Sequence, residues 1–394
     1  MKDTAPELFD LVIAGGGMAG STLAWALLQA LPDLKLAIVE QQPEQISSVS
    51  FDSRSIALAA ASVDLLRQWG LWQGLEKHAC AIDTINVSDR GHFGKTRLTA
   101  QEYRQPALGY VLEVEHMGAL LTDKLAAKTS VSRFAPASIQ AIEPQQEEQH
   151  LTLDDGRELS CKLLVIAEGG LSASRALAGF STAEKPYQQH AIIANLALSQ
   201  NHQHTAWERF TEHGPMALLP LPDKRYSLVY TVADDAVQQV MQLDDAAFTA
   251  HIQQAFGYRA GVFNTAGKRV CYPLSLRLST DVVRHRVALL GNSLHSVHPI
   301  AGQGFNLAMR DIAELVAQVT AATDDIGGYA MLRRYQQARL HDIGIVSNAT
   351  DALVRLFSNK SRTFALARNM GLLAMTLCDE LKRPLAEQAM GYRS

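Results

Sequence analysis

Gly15-x-Gly17-x-x-Gly20 is followed, twenty residues after its last glycine, by an acid, Glu40. This spacing suits a dinucleotide such as FAD or NAD. Gly15 makes a tight turn, Gly17 lets the backbone approach a pyrophosphate, Gly20 lets helix and strand pack closely, and Glu40 accepts from both ribose hydroxyls of an adenosine. Unpaired N–H groups and the positive dipole end of the following helix favour the diphosphate. A second anion-facing turn lies at Gly302-Gln303-Gly304, where Asn306 offers both a donor and an acceptor to a planar heterocycle such as a flavin ring. His295, His298 and Pro299 stand beside it as candidates to tune the chemistry, although histidines at a glycine turn serve equally well as backbone caps. Their spacing is not that of metal ligands, so no metal is expected, and no residue stands out as a catalytic base.

Regular elements must position these turns. Phe9 to Ala14 reads as a strand buried on both faces, Met18 to Ala30 as a helix ending before Pro32, and Lys35 to Val39 as a second strand that delivers Glu40. The uncharged run Leu11 to Leu28 reaches the lower limit for a membrane span. Gly15, Gly16 and Gly17 divide it, each costing about 1 kcal/mol relative to Ala in a helix. The acidic residues Asp3, Glu7 and Asp10 argue against a secretory signal. Further along, Val287 to Leu290 feeds the second turn as a strand, Leu307 to Thr320 follows it as a helix, and Leu163 to Ala167 is a buried strand ending at Glu168.

The 394 residues suffice for about two or three domains. With 36 basic against 40 acidic residues, the net charge of −4 gives no electrostatic footprint for nucleic acid. Cys80, Cys161, Cys271 and Cys378 form no C-x-x-C pair, which argues against zinc ribbons and disulfide frameworks and fits a reducing, cytoplasmic setting.

The segment from Gly291-Asn292 through His298-Pro299 to Gly302-Gln303-Gly304-Phe305-Asn306 resembles the G-D-x-x-H-x-x-x-P-x-x-G-Q-G-x-N pattern of the FAD-dependent aromatic hydroxylases related to para-hydroxybenzoate hydroxylase. Asn292 stands where that family usually has Asp. Glu168-Gly169-Gly170-Leu171-Ser172-Ala173-Ser174-Arg175 is similar to the family's D-G-x-x-S-x-x-R signature, with Glu168 one methylene longer. Phe51 to Leu58 resembles its arginine loop, in which Arg54 would contact the diphosphate, and Glu113, before a helix beginning near Val114, would also face the flavin. Stretches such as Asn86 to His92 and Glu208 to Thr211 place the resemblance nearest the ubiquinone-biosynthesis hydroxylases and extend it over essentially the whole chain.

The resemblance implies an α/β fold: a Rossmann-like FAD-binding domain assembled from residues 1–80, 105–180 and 280–345, an antiparallel-sheet substrate domain from 81–104 and 181–279, and a C-terminal helical segment, 346–394. Alternating runs at Ala191 to Leu198, Met216 to Leu221 and Tyr226 to Val232 read as strands of the second domain, and Ala246 to Phe256 as a helix. The implied activity is hydroxylation of a polyprenylated phenol, 2-polyprenyl-6-methoxyphenol to the 1,4-benzoquinol, using O2, FAD and NADPH or NADH. Partners would be other ubiquinone-biosynthesis proteins, with peripheral membrane contact because each buried methylene of a prenyl tail costs about 0.8 kcal/mol in water. Arg355, Lys360, Arg362 and Arg368 could meet an acidic lipid surface. Two alternatives share the fold: a hydroxylase of another ring position or phenol, and a prenyl-lipid carrier without flavin chemistry, as in the Rab GDP-dissociation inhibitors.

Overall fold

A computed structural model describes residues 6–43, 53–91, 94–211, 214–298, 302–322, 324–357 and 379–392. Pro299, Lys360, Arg362 and Arg368 lie outside these residues, and the Arg355 side chain is not described.

The strand Glu7–Ala14 is the axis of an eight-stranded sheet. It pairs in parallel with Leu36–Val39 on one side and with Glu158–Ile166 on the other. Val131–Phe134 extends the first side and Val287–Leu289 the second. Leu11, Val12, Ile13 and Ala14 are wholly buried, as a parallel strand covered on both faces requires. The chain therefore reverses direction of travel across the sheet at the first strand, creating a crevice beyond the carboxyl ends of Glu7–Ala14 and Glu158–Ile166. Helix Met18–Ala30 buries nearly its whole circumference between this sheet and the helices Val114–Ala126 and Gln303–Thr320.

A nine-stranded, mainly antiparallel sheet forms the second layer, ordered 295–296, 270–279, 182–198, 225–233, 214–221, 205–211, 84–89, 95–99, with 263–266 beside 182–198. Helix Asp245–Phe256 covers its outer face, where Phe248, Ile252 and Phe256 pack on Ile192, Leu196, Met216, Leu218 and Leu228. Its inner face turns toward the first unit: Ala206 and Leu221 pack there on Ile82 and Val111. A three-stranded sheet of Ser55–Ala59, Gly109–Glu113 and Cys80–Ile82 lies between.

Several boundaries differ from those expected. His295–Ser296 joins the second sheet by pairing with Val270–Ser279, although it falls inside 280–345. Cys80–Ile82 straddles the 80/81 boundary and helix Tyr329–Phe357 runs through the one at 345/346, because hydrogen-bonded elements do not stop where motifs do. Among the described residues, no helix is long and apolar enough to cross a membrane.

Candidate active site

The parallel sheet brings three distant turns together, because each follows the carboxyl end of one of three neighbouring strands. Gly15 N–H donates to Val39 O (2.8 Å), Ala167 N–H to Ala14 O (2.7 Å) and Leu290 N–H to Ile166 O (3.0 Å). Gly15 has φ +105°, and a Cβ there would lie 2.7 Å from the Ala167 carbonyl. A Cβ on Gly20 would lie 1.9 Å from Gly15 O, so helix and turn touch only because Gly20 has no side chain. Around Gly17 and Gly304, by contrast, nothing stands within 4 Å of where a Cβ would be. The helices beginning at Met18 and Gln303 have neither a side-chain cap nor an acid in the first turn. Both starts thus present uncovered backbone and positive dipole ends, a cradle that fits the diphosphate of FAD.

Glu40 accepts from Gly16 N–H (2.7 Å, Oε2) and Gln42 N–H (2.8 Å, Oε1). A carboxylate has about four acceptor positions, so two remain for ribose hydroxyls. It borders a cavity of about 560 Å3 lined by Gly15, Ser138, Glu168, Ala176 and Leu177, within the usual size of small-molecule sites. Arg54 is exposed and makes no ion pair among the described residues, which leaves its guanidinium for an anion. Asn292 is likewise exposed, directly after Gly291, whose φ is +59°.

Four expected contacts have other occupations in the structure. Asn306 spends its amide on protein: Oδ1 accepts from Ala59 N–H and Ser62 O–H, and Nδ2 donates to Ala57 O and Gly302 O, all at 2.8 Å. It holds the turn against strand Ser55–Ala59 and has no capacity left for a flavin ring. Gly302, at φ +64°, lies close enough that a Cβ would come 2.8 Å from Ala57 Cβ. Glu168 accepts from Ser172 O–H (2.6 Å), Ser174 N–H (3.1 Å) and Ser174 O–H (2.6 Å), so its carboxylate organises its own loop. Glu113 is buried and receives Arg225 Nη1 at 2.8 Å, because a carboxylate out of water needs a cation; it joins the two sheets. His295 is buried with Nε2 2.7 Å from Asp311 Oδ2.

Asp311 is the centre of that network. Fully buried, it accepts from Gly291 N–H (2.9 Å) and from Arg339 Nε (2.7 Å) besides meeting His295. Arg339 continues to Asp342 (2.7 Å), which also binds Arg310 (2.6 Å). Burial alone would raise the Asp311 pKa, but His295, Arg339 and the Gly291 amide together hold it below the usual carboxylate range. Sequence reading passed over Asp311 and Arg339. The signal was available: an acid four residues from both Leu307 and Leu315 lies on the apolar face of its helix and needs a buried partner. The Glu168 loop is fastened to the Gly291 turn by Ser293, whose Oγ meets Gly169 N (3.0 Å), and by Arg175, which donates to Ser293 O (2.9 Å) and Gly170 O (3.0 Å).

His298 is 1% exposed, neither ring nitrogen has a hydrogen-bond partner among the described residues, and the Tyr187 ring stands edge-on at 5.3 Å. Burial pushes its pKa down to about 4, so the ring is neutral near pH 7. Gln303, also buried, begins the helix.

The model of a family described as "FAD binding domain" matches residues 9–346. The chain is 34% identical to the ubiquinone hydroxylase UbiL of Rhodospirillum rubrum, over 98% of this chain and 91% of that protein. It is 30% identical to the 3-demethoxyubiquinol 3-hydroxylase of Escherichia coli, over 97% and 98% respectively. Its fold is similar to that of p-nitrophenol 4-monooxygenase from Pseudomonas putida, with a TM-score of 0.79 and 15% identity over 99% of this chain and 100% of that one.

Proposed function

Since the chain belongs to the FAD binding domain family, we propose that it hydroxylates the ring of a polyprenylated phenol, converting 2-polyprenyl-6-methoxyphenol to the 1,4-benzoquinol. It is an FAD-dependent ring monooxygenase with NAD(P)H as reductant. Bound FAD would supply the redox chemistry linking NAD(P)H, O2 and the ring. The residues of this chain bind and shield. Glu40 and the Gly15–Gly20 turn would hold the adenosine diphosphate half, with Arg54 as an exposed charge partner. The Gly302–Gly304 turn, fixed by Asn306, and the Gly291 turn, fixed by Asp311, would present backbone amides to the ring half. The sheet's inner face closes the reacting volume against water.

The observation that carries the reading is this convergence of three turns on one crevice beside an apolar sheet face, together with relatives whose names specify ubiquinone chemistry. A lipid tail points to substrate delivery at a membrane surface and to contact with other enzymes of the pathway, in a cytoplasmic protein. The name of the Escherichia coli relative favours one second reading, hydroxylation at another position of the same ring. Mass spectrometry of quinone precursors in cells lacking the protein separates the two. Accumulated 2-polyprenyl-6-methoxyphenol supports the first, a later methoxy-benzoquinol intermediate the second, and an undisturbed quinone pool refutes both.

A further inference from the structure

Among the described residues, the inner face of the nine-stranded sheet carries an ionisable group, Glu208, that no contact explains. In the row Ile193, Val229, Ala217, Glu208, Val87, Thr96, cross-strand register places all six side chains on the face shared with Ala206 and Leu221. Ile193, Val229 and Val87 are only partly covered, unlike the outer-face residues beneath helix Asp245–Phe256. The row is therefore walled by aliphatic side chains that the protein leaves incompletely covered. Glu208, 9% exposed, is set into it with Oε1 unpartnered and no ion pair among the described residues. Burial alone pushes its carboxyl up to about 8, with no neighbouring charge contributing. A buried carboxyl without a partner costs stability and calls for a ligand that completes it.

The same face abuts the cofactor elements. One row away, Asn195 Nδ2 donates to Ser53 O (2.8 Å), directly before Arg54, and the strand that follows is the one embraced by Gly302 and Asn306. The other charged groups facing this surface are occupied or distant. Arg225, two rows away, pairs with Glu113; Asp89 lies in the next row beside Phe210; and on helix Tyr329–Phe357, which packs on strand Gly214–Leu221, Asp351 binds Lys185.

Resting on the reading above, we propose that Glu208 is a catalytic residue, its carboxyl hydrogen-bonding the ring oxygen of the bound phenol and taking the phenolic proton. In that step the phenol O–H bond breaks, the proton passes to a carboxylate oxygen of Glu208, and the electron pair stays on the ring oxygen, enriching the carbon that is to be hydroxylated. The acid returns the proton to water after product leaves. An apolar wall with one carboxyl also defines specificity: it accepts a neutral phenol and disfavours an anionic benzoate, whose charge would lose its water against aliphatic side chains.

The test uses holoenzyme and a short-chain 2-prenyl-6-methoxyphenol, with product and NAD(P)H oxidation measured separately from neutral pH to about 9. Glu208→Gln should keep its FAD and its reductant oxidation, while product formation falls about 100-fold or more and the wild-type rise in kcat toward pH 8 disappears. Glu208→Asp should recover part of kcat and restore a pH-dependent limb. A Glu208→Gln enzyme that keeps its kcat within about threefold, or keeps the limb, overturns the proposal. Wild-type enzyme that leaves the phenol unchanged overturns the functional reading instead. A measurement on wild type alone covers a variant that does not fold: the infrared carbonyl band of the protonated carboxyl should shift when the phenol binds, and an unmoved band overturns the assignment.

Discussion

Replacing Asp311 by Asn tests whether the buried network anchors the flavin-facing turn. Asp311 and Arg339 are both 0% exposed, and the carboxylate meets Arg339 at 2.7 Å, His295 at 2.7 Å and the Gly291 amide at 2.9 Å. Removing one member of a buried ion pair costs about 3–5 kcal/mol, since the remaining charge stays out of water without its partner. An unfolding entropy of about 2.1 cal/mol/K per residue gives about 0.8 kcal/mol/K for 394 residues unfolding together. The melting temperature should therefore fall by about 4–6 °C in the apoprotein. Because Gly291 loses a charged acceptor, the turn carrying Asn292 should loosen as well, and FAD affinity should drop about tenfold. Differential scanning calorimetry with and without FAD, and flavin fluorescence titration, read the two effects. Melting within about 1 °C of wild type, with unchanged FAD affinity, would refute the assignment of Asp311 as the anchor. Linkage gives the same group a pH signature. Its folded pKa lies below its unfolded value, so its contribution is complete above about pH 4 and is lost as pH falls through the folded pKa, whereas Asp311→Asn should show no such acid limb.

Gly17→Ala should leave apoprotein stability within about 0.5 kcal/mol, since a Cβ there meets nothing, yet weaken FAD at least about tenfold by intruding on the pyrophosphate; calorimetry and titration together check it. Gly302→Ala should instead destabilise the apoprotein by about 1–2 kcal/mol, because φ is +64° and Ala57 is in the way, a loss visible in urea unfolding. Glu40→Ala, which removes charge-assisted acceptors, should weaken FAD by about 1.5–3 kcal/mol, measured as the dissociation constant. His298, with its pKa depressed from 6.5 to about 4, binds fewer protons folded than unfolded between those values; its contribution is complete above about 6.5 and declines by about 3 kcal/mol on acidification to pH 4, a slope that His298→Leu should abolish in pH-dependent unfolding.

The cofactor turn was legible in the chain because its code is local. Met18–Ala30 forms the helix read from its glycines and its stop at Pro32, and Leu36–Val39 ends at Glu40 as its apolar run implied. Backbone conformation also writes itself locally, and the glycines at 15 and 302 sit where φ is positive. Partnerships between distant residues had no such code. Asn306 was read as a ligand contact because its amide suits a heterocycle, but strand Ser55–Ala59, some 250 residues earlier, takes up two of its hydrogen bonds, and Ser62 and Gly302 the others. Glu113 was read as a flavin neighbour and proved to be the partner of Arg225 on another sheet. The composition of the chain and the periods of its apolar residues determine which segments become strands and helices, since those depend on neighbours within one turn or one pleat. Whether a polar side chain on such an element serves a ligand or the protein itself depends on what the fold sets against it in the dry interior, and only the tertiary structure decides that: it completed Asn306, Glu168 and Asp311 with protein groups and left Glu208 Oε1 and the His298 ring without hydrogen-bond partners among the described residues.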